Sequence, residues 1–209
     1  MLKRLFDVIF SFIGLIILSP LFLIIGILIK LDSKGPVFYK GERVGKDGKL
    51  FKIYKFRTMY ADADKTGGGH SCADSDPRIT KVGKILRKYK FNEMPQLINI
   101  LKGEMSFVGP RPEVKFYTDM FTEEEKIILS VSPGLTDWAS LWNLNEGELL
   151  AEVSSKGEDP ERFYAEKIRP EKIRLQLQYV RNHSLWTDVI IFMETLKKCL
   201  LTRSKIDSA

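Results

Sequence analysis

Residues 8–29, VIFSFIGLIILSPLFLIIGILI, decide the fold of this chain, because they form a run of 22 residues without a charged side chain. At about 1.5 Å per residue, a straight helix of this length spans a bilayer core of about 30 Å. Ser19-Pro20 lies near the centre of the run, and a proline inside a helix removes one hydrogen bond and crowds the preceding turn. We therefore predict a membrane helix. It is either a single span that tolerates the proline, or a re-entrant helix that bends at Ser19-Pro20 and returns to the same face.

The charges beside this run are mostly positive. Residues 1–60 contain eleven Lys and Arg against four Asp and Glu, whereas the rest of the chain contains 22 and 23. Cationic residues favour the cytoplasmic side of a membrane, and here they stand at both ends of the run, at Lys3, Arg4, Lys30 and Lys34. This pattern suits an anionic lipid surface or a phosphate-bearing substrate. We predict no nucleic-acid partner, because the basic charge is concentrated beside the membrane segment and no nucleic-acid-binding motif occurs.

The sequence after the run predicts a small domain with one hairpin and several helices. Residues 37–39 and 50–54 are rich in strand-forming side chains, and the turn residues at 45–48 between them predict a β-hairpin at the membrane surface. Residues 61–77 are rich in Asp, Gly and Ser and predict a mobile loop. Apolar residues at helical spacing predict a short helix over residues 82–89.

A second helix is predicted from residue 92. Its apolar residues at i, i+3, i+4 and i+7 are Met94, Leu97, Ile98 and Leu101. Asn92 is a favourable N-cap, Pro95 is tolerated in the first turn, and Gly103 is a favourable end. Asn92 and Glu93 are therefore expected at a helix N-terminus, where free amides and the helix dipole favour an anion.

Ser184 opens a predicted final helix with one apolar stripe. The stripe consists of Trp186, Val189, Ile190, Met193, Leu196 and Leu200. Packing against the core is the ordinary explanation of such a stripe, and docking on a membrane is the alternative.

Basic side chains flank the predicted helix start. Lys55 and Arg57 are two residues apart at the end of the second strand and share a face. Arg111 lies between Pro110 and Pro112, whose restricted backbone holds the guanidinium in one direction, and its rigid fork of donors suits a phosphate. A further run of cations comprises Lys81, Lys84, Arg87, Lys88 and Lys90. The simpler alternative for each of these residues is a solvated surface charge.

Glu93 is the candidate magnesium ligand among these cations. Magnesium commonly uses one or two protein carboxylates together with substrate phosphates. Stabilisation of the first helical turn is the alternative role for this carboxylate. The residues alone support phosphate chemistry at a membrane surface and nothing more specific.

These residues also carry a resemblance to the monotopic phosphoglycosyl transferases, which are also called the bacterial sugar transferase family. The resemblance covers most of residues 1–140, in the family's order. Its motifs are KFRTM at 55–59, DPRIT at 76–80, NEMPQL at 92–97, GEMSFVGPRP at 103–112 and PGLT at 133–136, together with the apolar run around Ser19-Pro20. The motifs are specific in combination, although none is specific alone.

The resemblance implies an activity and a membrane arrangement. Members of the family have a re-entrant helix broken at Ser-Pro. They require magnesium and transfer a sugar phosphate from a UDP-sugar to polyprenyl phosphate, releasing UMP, which opens the assembly of a surface polysaccharide or glycoconjugate. On this basis Glu93 is expected to bind Mg²⁺. Our candidate substrate contacts are Lys55, Arg57, Arg78, Arg87, Pro110, Arg111 and Pro112.

One departure from the family concerns the reaction itself. The family has an Asp-Glu dyad at the helix start, and its Asp is the nucleophile that forms a covalent phosphosugar intermediate. Here Asn92 stands at the position of that Asp, and an amide is a poor nucleophile. Three explanations stay open: a deliberate change that traps a complex, a natural variant in which polyprenyl phosphate attacks directly, and an inactive member that still binds its ligands.

A second departure follows the PGLT motif. Many relatives continue with Gly-Trp/Leu-Ala-Gln and an Asn-Gly-Arg stretch, whereas this chain has DWAS at 137–140 and NLNEGE at 143–148. The family's arginine has no counterpart there. We therefore expect altered contacts to the nucleotide or sugar and an unusual substrate.

Together these arguments predict an α+β, mostly helical fold with a re-entrant membrane helix at residues 1–34 and a catalytic domain at residues 35–209 that is cytosolic and membrane-associated, with amphipathic helices on the membrane surface. The predicted function is phosphoglycosyl transfer at the cytoplasmic face of the bacterial inner membrane, with UDP-sugar, polyprenyl phosphate and membrane lipid as partners. The alternative is a non-catalytic membrane protein that binds the same ligands. The oligomeric state is left open.

Overall fold

The computed structural model describes residues 2–63, 73 and 75–206, and of residues 199–206 it describes the backbone alone. Most of the predicted loop at 61–77 and the side chain of Leu200 therefore lie outside the described residues. The helices are α1 (Leu2–Asp32), α2 (Lys81–Lys88), α3 (Leu97–Lys102), α4 (Lys115–Thr118), α5 (Trp138–Trp142), α6 (Glu146–Ser155), α7 (Pro160–Phe163), α8 (Arg169–Asn182) and α9 (Leu185–Ile206). The strands are β1 (Phe38–Val44), β2 (Leu50–Phe56), β3 (Ser106–Val108) and β4 (Gly134–Thr136). Segments of 3₁₀ helix lie at Lys46–Gly48, Phe91–Gln96 and Glu125–Ser130, and a π-helical turn lies at Tyr164–Ile168. The predicted α+β, mostly helical class is confirmed.

Helix α1 continues through Ser19 and Pro20 without losing helical structure. Pro20 has no amide hydrogen to donate to the carbonyl of Ile16, four residues earlier. The Ser19 hydroxyl donates to that carbonyl instead, at 2.8 Å, so the freed oxygen keeps a partner. Helical structure therefore continues across this dipeptide, and the re-entrant arrangement that Ser19-Pro20 predicts stays a prediction.

One stripe of α1 packs along the rest of the domain. Its buried and half-buried residues are three or four positions apart, as one face of a helix requires. They include Asp7, Ser11, Leu15, Leu18, Phe22, Ile25 and Ile29. The other faces expose many large apolar side chains, among them Ile9, Phe12, Ile16, Leu23 and Ile27. The helix is long and apolar enough to cross a membrane, and an exposed apolar surface of this extent requires an apolar partner.

The start of α1 is fixed to the domain by polar side chains. Lys3 Nζ donates to the carbonyl oxygen of Val108 at 2.8 Å. The buried carboxylate of Asp7 accepts hydrogen bonds from the Ser106 hydroxyl and the Phe107 amide, each at 3.1 Å. The first two turns of α1 are thus tied to β3.

The end of α1 is fixed to the same domain. Arg57 is buried, and its guanidinium donates to the carbonyl of Lys34 and, at 2.9 Å, to that of Ser33. The carboxylate of Asp32 accepts a hydrogen bond from the Val82 amide at 3.0 Å, at the start of α2. Both ends of α1 therefore contact one body.

Replacement of Arg57 by methionine is expected to lower the stability of the protein by about 2 kcal/mol, because two carbonyls at the end of α1 lose part-buried hydrogen bonds from a charged donor. The measurement is the thermal unfolding midpoint of the detergent-solubilised protein. Arg174→Met, on an exposed arginine of α8, serves as the control. An unchanged midpoint with weaker donor binding would instead give Arg57 the substrate-contact role that the sequence predicts.

Strands β1 and β2 form the predicted hairpin. They pair antiparallel, with Phe38 opposite Phe56 and Val44 opposite Leu50. In the turn, Asp47 and Gly48 have φ of 55° and 74°, a left-handed conformation that favours Gly and tolerates Asp. The hairpin packs through β2 against the 3₁₀ segment at 91–96.

The single helix predicted from residue 92 is two elements, since Phe91–Gln96 is 3₁₀ and α3 begins only at Leu97. Asn92 is not an N-cap. The residue before the 3₁₀ segment is Lys90, with a φ of 58°, and its side chain makes no capping hydrogen bond. Gly103, with a φ of 87°, ends α3 as predicted. Because short 3₁₀ and α segments align few peptide dipoles, an anion here must be held mainly by side chains.

Strands β3 and β4 pair in parallel, which the sequence analysis did not predict. Gly109 and Gly134 lie against each other, and a Cβ on Gly134 would stand 2.1 Å from the Gly109 nitrogen. The Gly134 amide donates to the carbonyl of Pro110 at 2.9 Å. This contact fixes the chain immediately before Arg111.

Helix α9 presents a different face to the core from the one predicted. Ile191 is fully buried, whereas Trp186 is 72% exposed and Met193 is 57% exposed. The predicted core stripe therefore points outward, which corrects the sequence-based expectation. This face also carries the polar residues Asp188 and Thr195, whose partners Tyr179 and Thr136 lie on α8 and β4, and an apolar pattern cannot reveal such a face.

Candidate active site

A cleft of about 990 Å³ opens beside the hairpin, the 3₁₀ segment at 91–96 and helices α5, α6, α8 and α9. Three groups of side chains line it. The charged group at its centre comprises Lys55, Glu93 and Arg111, with Asn92 beside them. The apolar group comprises Phe107, Leu135, Ala139, Phe192 and Leu196. The polar group comprises Glu113, Asn143, Glu146, Tyr164 and Lys172.

Three predicted site residues converge in the charged group. Lys55 comes from β2, Glu93 from the 3₁₀ segment, and Arg111 from the loop that follows β3. Lys55 Nζ lies 3.1 Å from Glu93 Oε1, and Arg111 Nη2 pairs with the same oxygen. Arg111 Nη1 also donates to the carbonyl of Leu135 at 3.2 Å. Two cations thus share one carboxylate, which leaves the group with a net positive charge that suits an anionic ligand.

Burial and mutual charge set the protonation of this group. Burial alone would raise the pKa of Glu93, but the charges of Arg111 and Lys55 hold that pKa well below its usual range. Burial and the neighbouring charge of Arg111 together lower the pKa of Lys55 to about 8, against the attraction of Glu93, which raises it. Glu93 is therefore an anion at neutral pH, and Lys55 remains mostly a cation.

The backbone of Arg111 is held by a buried carboxylate. The Arg111 amide donates to Asp137 Oδ2 at 3.2 Å, and Gln176 Nε2 donates to the same oxygen at 3.3 Å. Asp137 also caps α5 by accepting from the Ser140 amide at 2.6 Å. The first residue of the second departure thus helps to fix the position of the site arginine.

Asn92 lies at the edge of the charged group. Its side-chain oxygen Oδ1 is buried and has no hydrogen-bond partner among the described residues, although Asn92 itself lines the cleft. A buried polar atom without a partner is costly and is uncommon in native proteins. The side-chain oxygen of Asn92 is thus left without a partner in the described part of the protein.

The sequence matches a profile described as bacterial sugar transferase over residues 1–202. The chain belongs to the bacterial sugar transferase family. The resemblance noted in the motifs is thereby confirmed, and the apolar α1 together with this family indicates a membrane protein.

Three similar proteins are named for sugar-phosphate transfer or for exopolysaccharide production. The chain is 36% identical over 202 residues to the UDP-N-acetylgalactosamine-undecaprenyl-phosphate N-acetylgalactosaminephosphotransferase of Aeromonas hydrophila, covering 95% of this chain and 44% of the relative. It is 35% identical to the undecaprenyl-phosphate glucose phosphotransferase of Komagataeibacter xylinus, covering 97% and 36%. It is 36% identical to the exopolysaccharide production protein ExoY of Rhizobium meliloti, covering 97% and 87%. The chain thus spans less than half the length of the first two relatives.

The residues present fit a magnesium ion that is shared with a phosphate-bearing substrate. Among the described residues no group of three or more His, Cys, Asp or Glu side chains stands together, so an all-protein cage is not formed there. Glu93 offers one carboxylate and Asn92 offers a buried carbonyl oxygen without a partner. Magnesium accepts such oxygen ligands when substrate phosphates complete its shell.

The other predicted substrate contacts differ in whether they line the cleft and in whether their side chains have protein partners. Arg57 and Arg87 line the cleft, but the guanidinium of Arg57 is engaged with the end of α1. Arg78 pairs with Asp76, with Nη2 2.7 Å from Oδ2. Pro112 lines the cleft. Pro110 is buried and accepts the hydrogen bond from β4, so it acts on the site through Arg111.

The polar group of the cleft was not predicted from the sequence. Glu113 directly follows the PRP motif, so its position was a signal that could have marked it. Lys172 lies on α8, and its ammonium stands 2.5 Å from Glu113 Oε1. No local pattern connects two residues so far apart in the chain, and their contact follows only from the fold.

The pair of Glu113 and Lys172 predicts a pH-dependent stability. Burial alone would raise the pKa of Glu113, but Lys172 lowers it below its ordinary value of 4.5. Because the pKa is lower in the folded state than in the unfolded state, Glu113 stabilises the fold above about pH 4.5, and this contribution is lost as the pH falls through the folded value. Glu113→Gln is expected to lower the unfolding midpoint at pH 7, with a difference from the parent that shrinks in acid. The exposed Glu123→Gln is the control, and a difference that is independent of pH would contradict the argument.

Proposed function

We propose that this chain transfers a sugar phosphate from a UDP-sugar to polyprenyl phosphate and releases UMP, as the first membrane step in assembly of a surface polysaccharide or glycoconjugate. The observation that carries the proposal is the convergence of Lys55 and Arg111 on Glu93 in a cleft that also has an apolar and a polar lining. A donor with two phosphates and an acceptor with one phosphate and a hydrocarbon chain require these three kinds of surface. The names of the relatives agree with this chemistry.

The proposed reaction is a direct displacement, because Asn92 cannot serve as the nucleophile. An oxygen of polyprenyl phosphate, already ionised at neutral pH, attacks the β-phosphorus of the UDP-sugar. The bond from that phosphorus to the oxygen bridging the two phosphates breaks, and UMP leaves with that oxygen. Arg111 and Lys55 stabilise the negative charge on the transferring group and bring the two anionic reactants together.

Magnesium is part of the proposal. Glu93 would hold the ion, and the oxygen of Asn92 is the nearest further candidate in the sequence. The bound ion would neutralise charge on the donor diphosphate and on the departing UMP.

The membrane arrangement is proposed from the contacts of α1. If straight, a helix of 31 residues is about 46 Å long, yet α1 contacts the same domain near residue 3 and near residue 32. A straight crossing would carry part of the polar domain through the bilayer. We therefore place both ends on one face, the cytoplasmic face of the inner membrane, with the exposed apolar faces of α1 in lipid.

We assign the hydrocarbon chain of the acceptor to the apolar group of the cleft. The rings of Phe107 and Phe192 lie 5.7 Å apart, and Phe6 of α1 packs against both, at 6.1 and 6.5 Å. The apolar side of the cleft is therefore continuous with the membrane helix. A polyprenyl chain leaving the bilayer along α1 would bring its phosphate towards Arg111.

A non-catalytic binder of the same ligands is the second candidate, and Asn92 is the observation that favours it. The test is UMP release by the reconstituted protein from a panel of UDP-sugars, with and without polyprenyl phosphate. The proposal expects release that depends on the acceptor and on Mg²⁺. Binding of a UDP-sugar without UMP release from any member of the panel would support the non-catalytic binder. UMP release at the same rate with and without acceptor would show hydrolysis of the donor instead of transfer.

A further inference from the structure

The polar group of the cleft is a compact cluster around Lys172. Its ammonium lies 2.5 Å from Glu113 Oε1 and donates to the Tyr164 hydroxyl at 3.1 Å. The Tyr164 hydroxyl lies 3.5 Å from the same Glu113 oxygen. The carboxylate of Glu146 stands nearby and has a long contact, 3.5 Å, with Asn143 Nδ2. All five residues line the cleft that also contains the charged group of Lys55, Glu93 and Arg111.

The cluster offers donors and acceptors at the same point. Glu113 is an anion, because Lys172 lowers its pKa against the effect of burial. Burial raises the pKa of Tyr164 to about 12, so the phenol keeps its proton. Carboxylates accept hydrogen bonds, whereas an ammonium and a phenol donate them. A hydroxyl group, which both donates and accepts, is the ligand group that such a cluster can satisfy.

A role in folding alone is a weak explanation for this cluster. The attraction within a buried ion pair is largely offset by the desolvation of both charges. The side chains of Lys172 and Glu113 keep 13% and 15% of their exposure, so both are within reach of a ligand in the cleft.

The cluster is supported by buried packing and lines the same cleft as the charged group. Tyr164 packs with Tyr117, Leu150 and Ile168 in one buried cluster. Glu113 is two residues after Arg111. A ring attached to a phosphate held by Arg111 would therefore come close to this part of the cleft.

One member of the cluster comes from the part of the sequence that departs from the family. Glu146 lies in the NLNEGE stretch, and Tyr164 and Lys172 follow it in the chain. The departing segment thus forms one side of the cleft.

We infer that Glu113, Tyr164 and Lys172, with Glu146, form a subsite that binds hydroxyl groups of a sugar ring of the donor. The inference rests on the proposed function. The ring is either the sugar that is transferred or the ribose of the nucleotide, since both present hydroxyls close to the diphosphate.

The test is direct binding of ligands to the full chain in detergent, measured by calorimetry for UMP and for UDP-sugars that differ at single hydroxyls. Tyr164→Phe removes one hydroxyl and no charge. The same change at Tyr89, which does not line the cleft, is the matched control. We expect Tyr164→Phe to weaken UDP-sugar binding about five- to tenfold, the scale of one neutral hydrogen bond, and to change the ranking among the sugars.

The result for UMP identifies the ring. Unchanged UMP binding assigns the subsite to the transferred sugar, and a parallel loss of UMP binding assigns it to the ribose. A second variant, Glu113→Gln with Lys172→Met, removes both charges together so that neither is left unpaired, and it should show the same pattern. Binding of every ligand within twofold of the parent in both folded variants would overturn the inference. Since binding needs no turnover, a parent chain that binds UDP-sugars but releases no UMP would count against the proposed reaction and leave this test valid.

Discussion

Replacement of Glu93 by glutamine is expected to reduce acceptor-dependent UMP release by at least about a hundredfold, the scale seen when one preorganised electrostatic group is removed from an active site. Two effects act together. The proposed magnesium ion loses its carboxylate ligand, and Lys55 and Arg111 lose the shared oxygen that holds them in place. The measurement is the initial rate of UMP release at saturating donor and acceptor.

The control for this experiment is Glu123→Gln, since that side chain is 90% exposed and pairs only with a neighbour on the surface. A thermal unfolding curve of Glu93→Gln separates loss of catalysis from loss of fold, because two cations without their carboxylate also destabilise a buried site. Retention of more than about a tenth of the parent rate by the folded variant would remove Glu93 from the catalytic group.

Replacement of Asn92 by aspartate is expected to change the course of the reaction. A carboxylate at this position can attack the donor phosphate, whereas the amide cannot. The variant should therefore release a burst of UMP without acceptor, stoichiometric with the enzyme, and should gain the mass of one sugar phosphate. The parent should show neither effect. The measurements are rapid-quench UMP release and intact protein mass after incubation with donor alone.

Asn92→Ala is the matched control, because it removes the amide without supplying a nucleophile. If Asn92→Asp and the parent release UMP at equal rates and neither gains mass, position 92 takes no covalent part in this chain. If only the aspartate form turns over, the parent is an inactive or trapped form and the direct displacement is wrong.

The parts of the fold that were predicted correctly are those that local sequence determines. The hairpin follows from turn residues at 45–48 between two short strands, and α2 follows from its apolar spacing. In the structure Thr80 caps α2 by accepting a hydrogen bond from the Gly83 amide. The apolar α1 is evident from its length. Each of these elements forms through interactions between residues close together in the chain.

The parts that were missed depend on contacts between distant residues. Strands β3 and β4 have three residues each and are held by the close approach of Gly109 and Gly134, which no short window of sequence reveals. In α9, hydrogen bonds from Asp188 and Thr195 to residues on other elements help to determine which face packs against the core. The described side chains of the predicted apolar stripe of α9 are exposed and do not pack against the core.

The candidate site likewise combines residues that were predicted from local motifs with residues that only the fold brings together. Lys55, Glu93 and Arg111 were identified from their motifs, and the structure brings them together. The geometry changes one of the reasons, because Glu93 belongs to a 3₁₀ segment and its neighbours Lys55 and Arg111 supply the positive charge that a helix dipole was expected to supply. The subsite around Lys172 required the packing of α8 beside the PRP loop, and this packing is a property of the whole fold.

The proposed reaction transfers the sugar together with its β-phosphate to a lipid acceptor. The most direct measurement uses a UDP-sugar with radioactive phosphorus in the β-phosphate, incubated with the reconstituted parent chain, Mg²⁺ and polyprenyl phosphate, followed by separation of lipid from water. We expect the label to move into the lipid fraction in step with UMP release, and Glu93→Gln to lower both at least about a hundredfold. Label that stays in water as UDP or inorganic phosphate, while the donor is consumed, would contradict the proposed reaction.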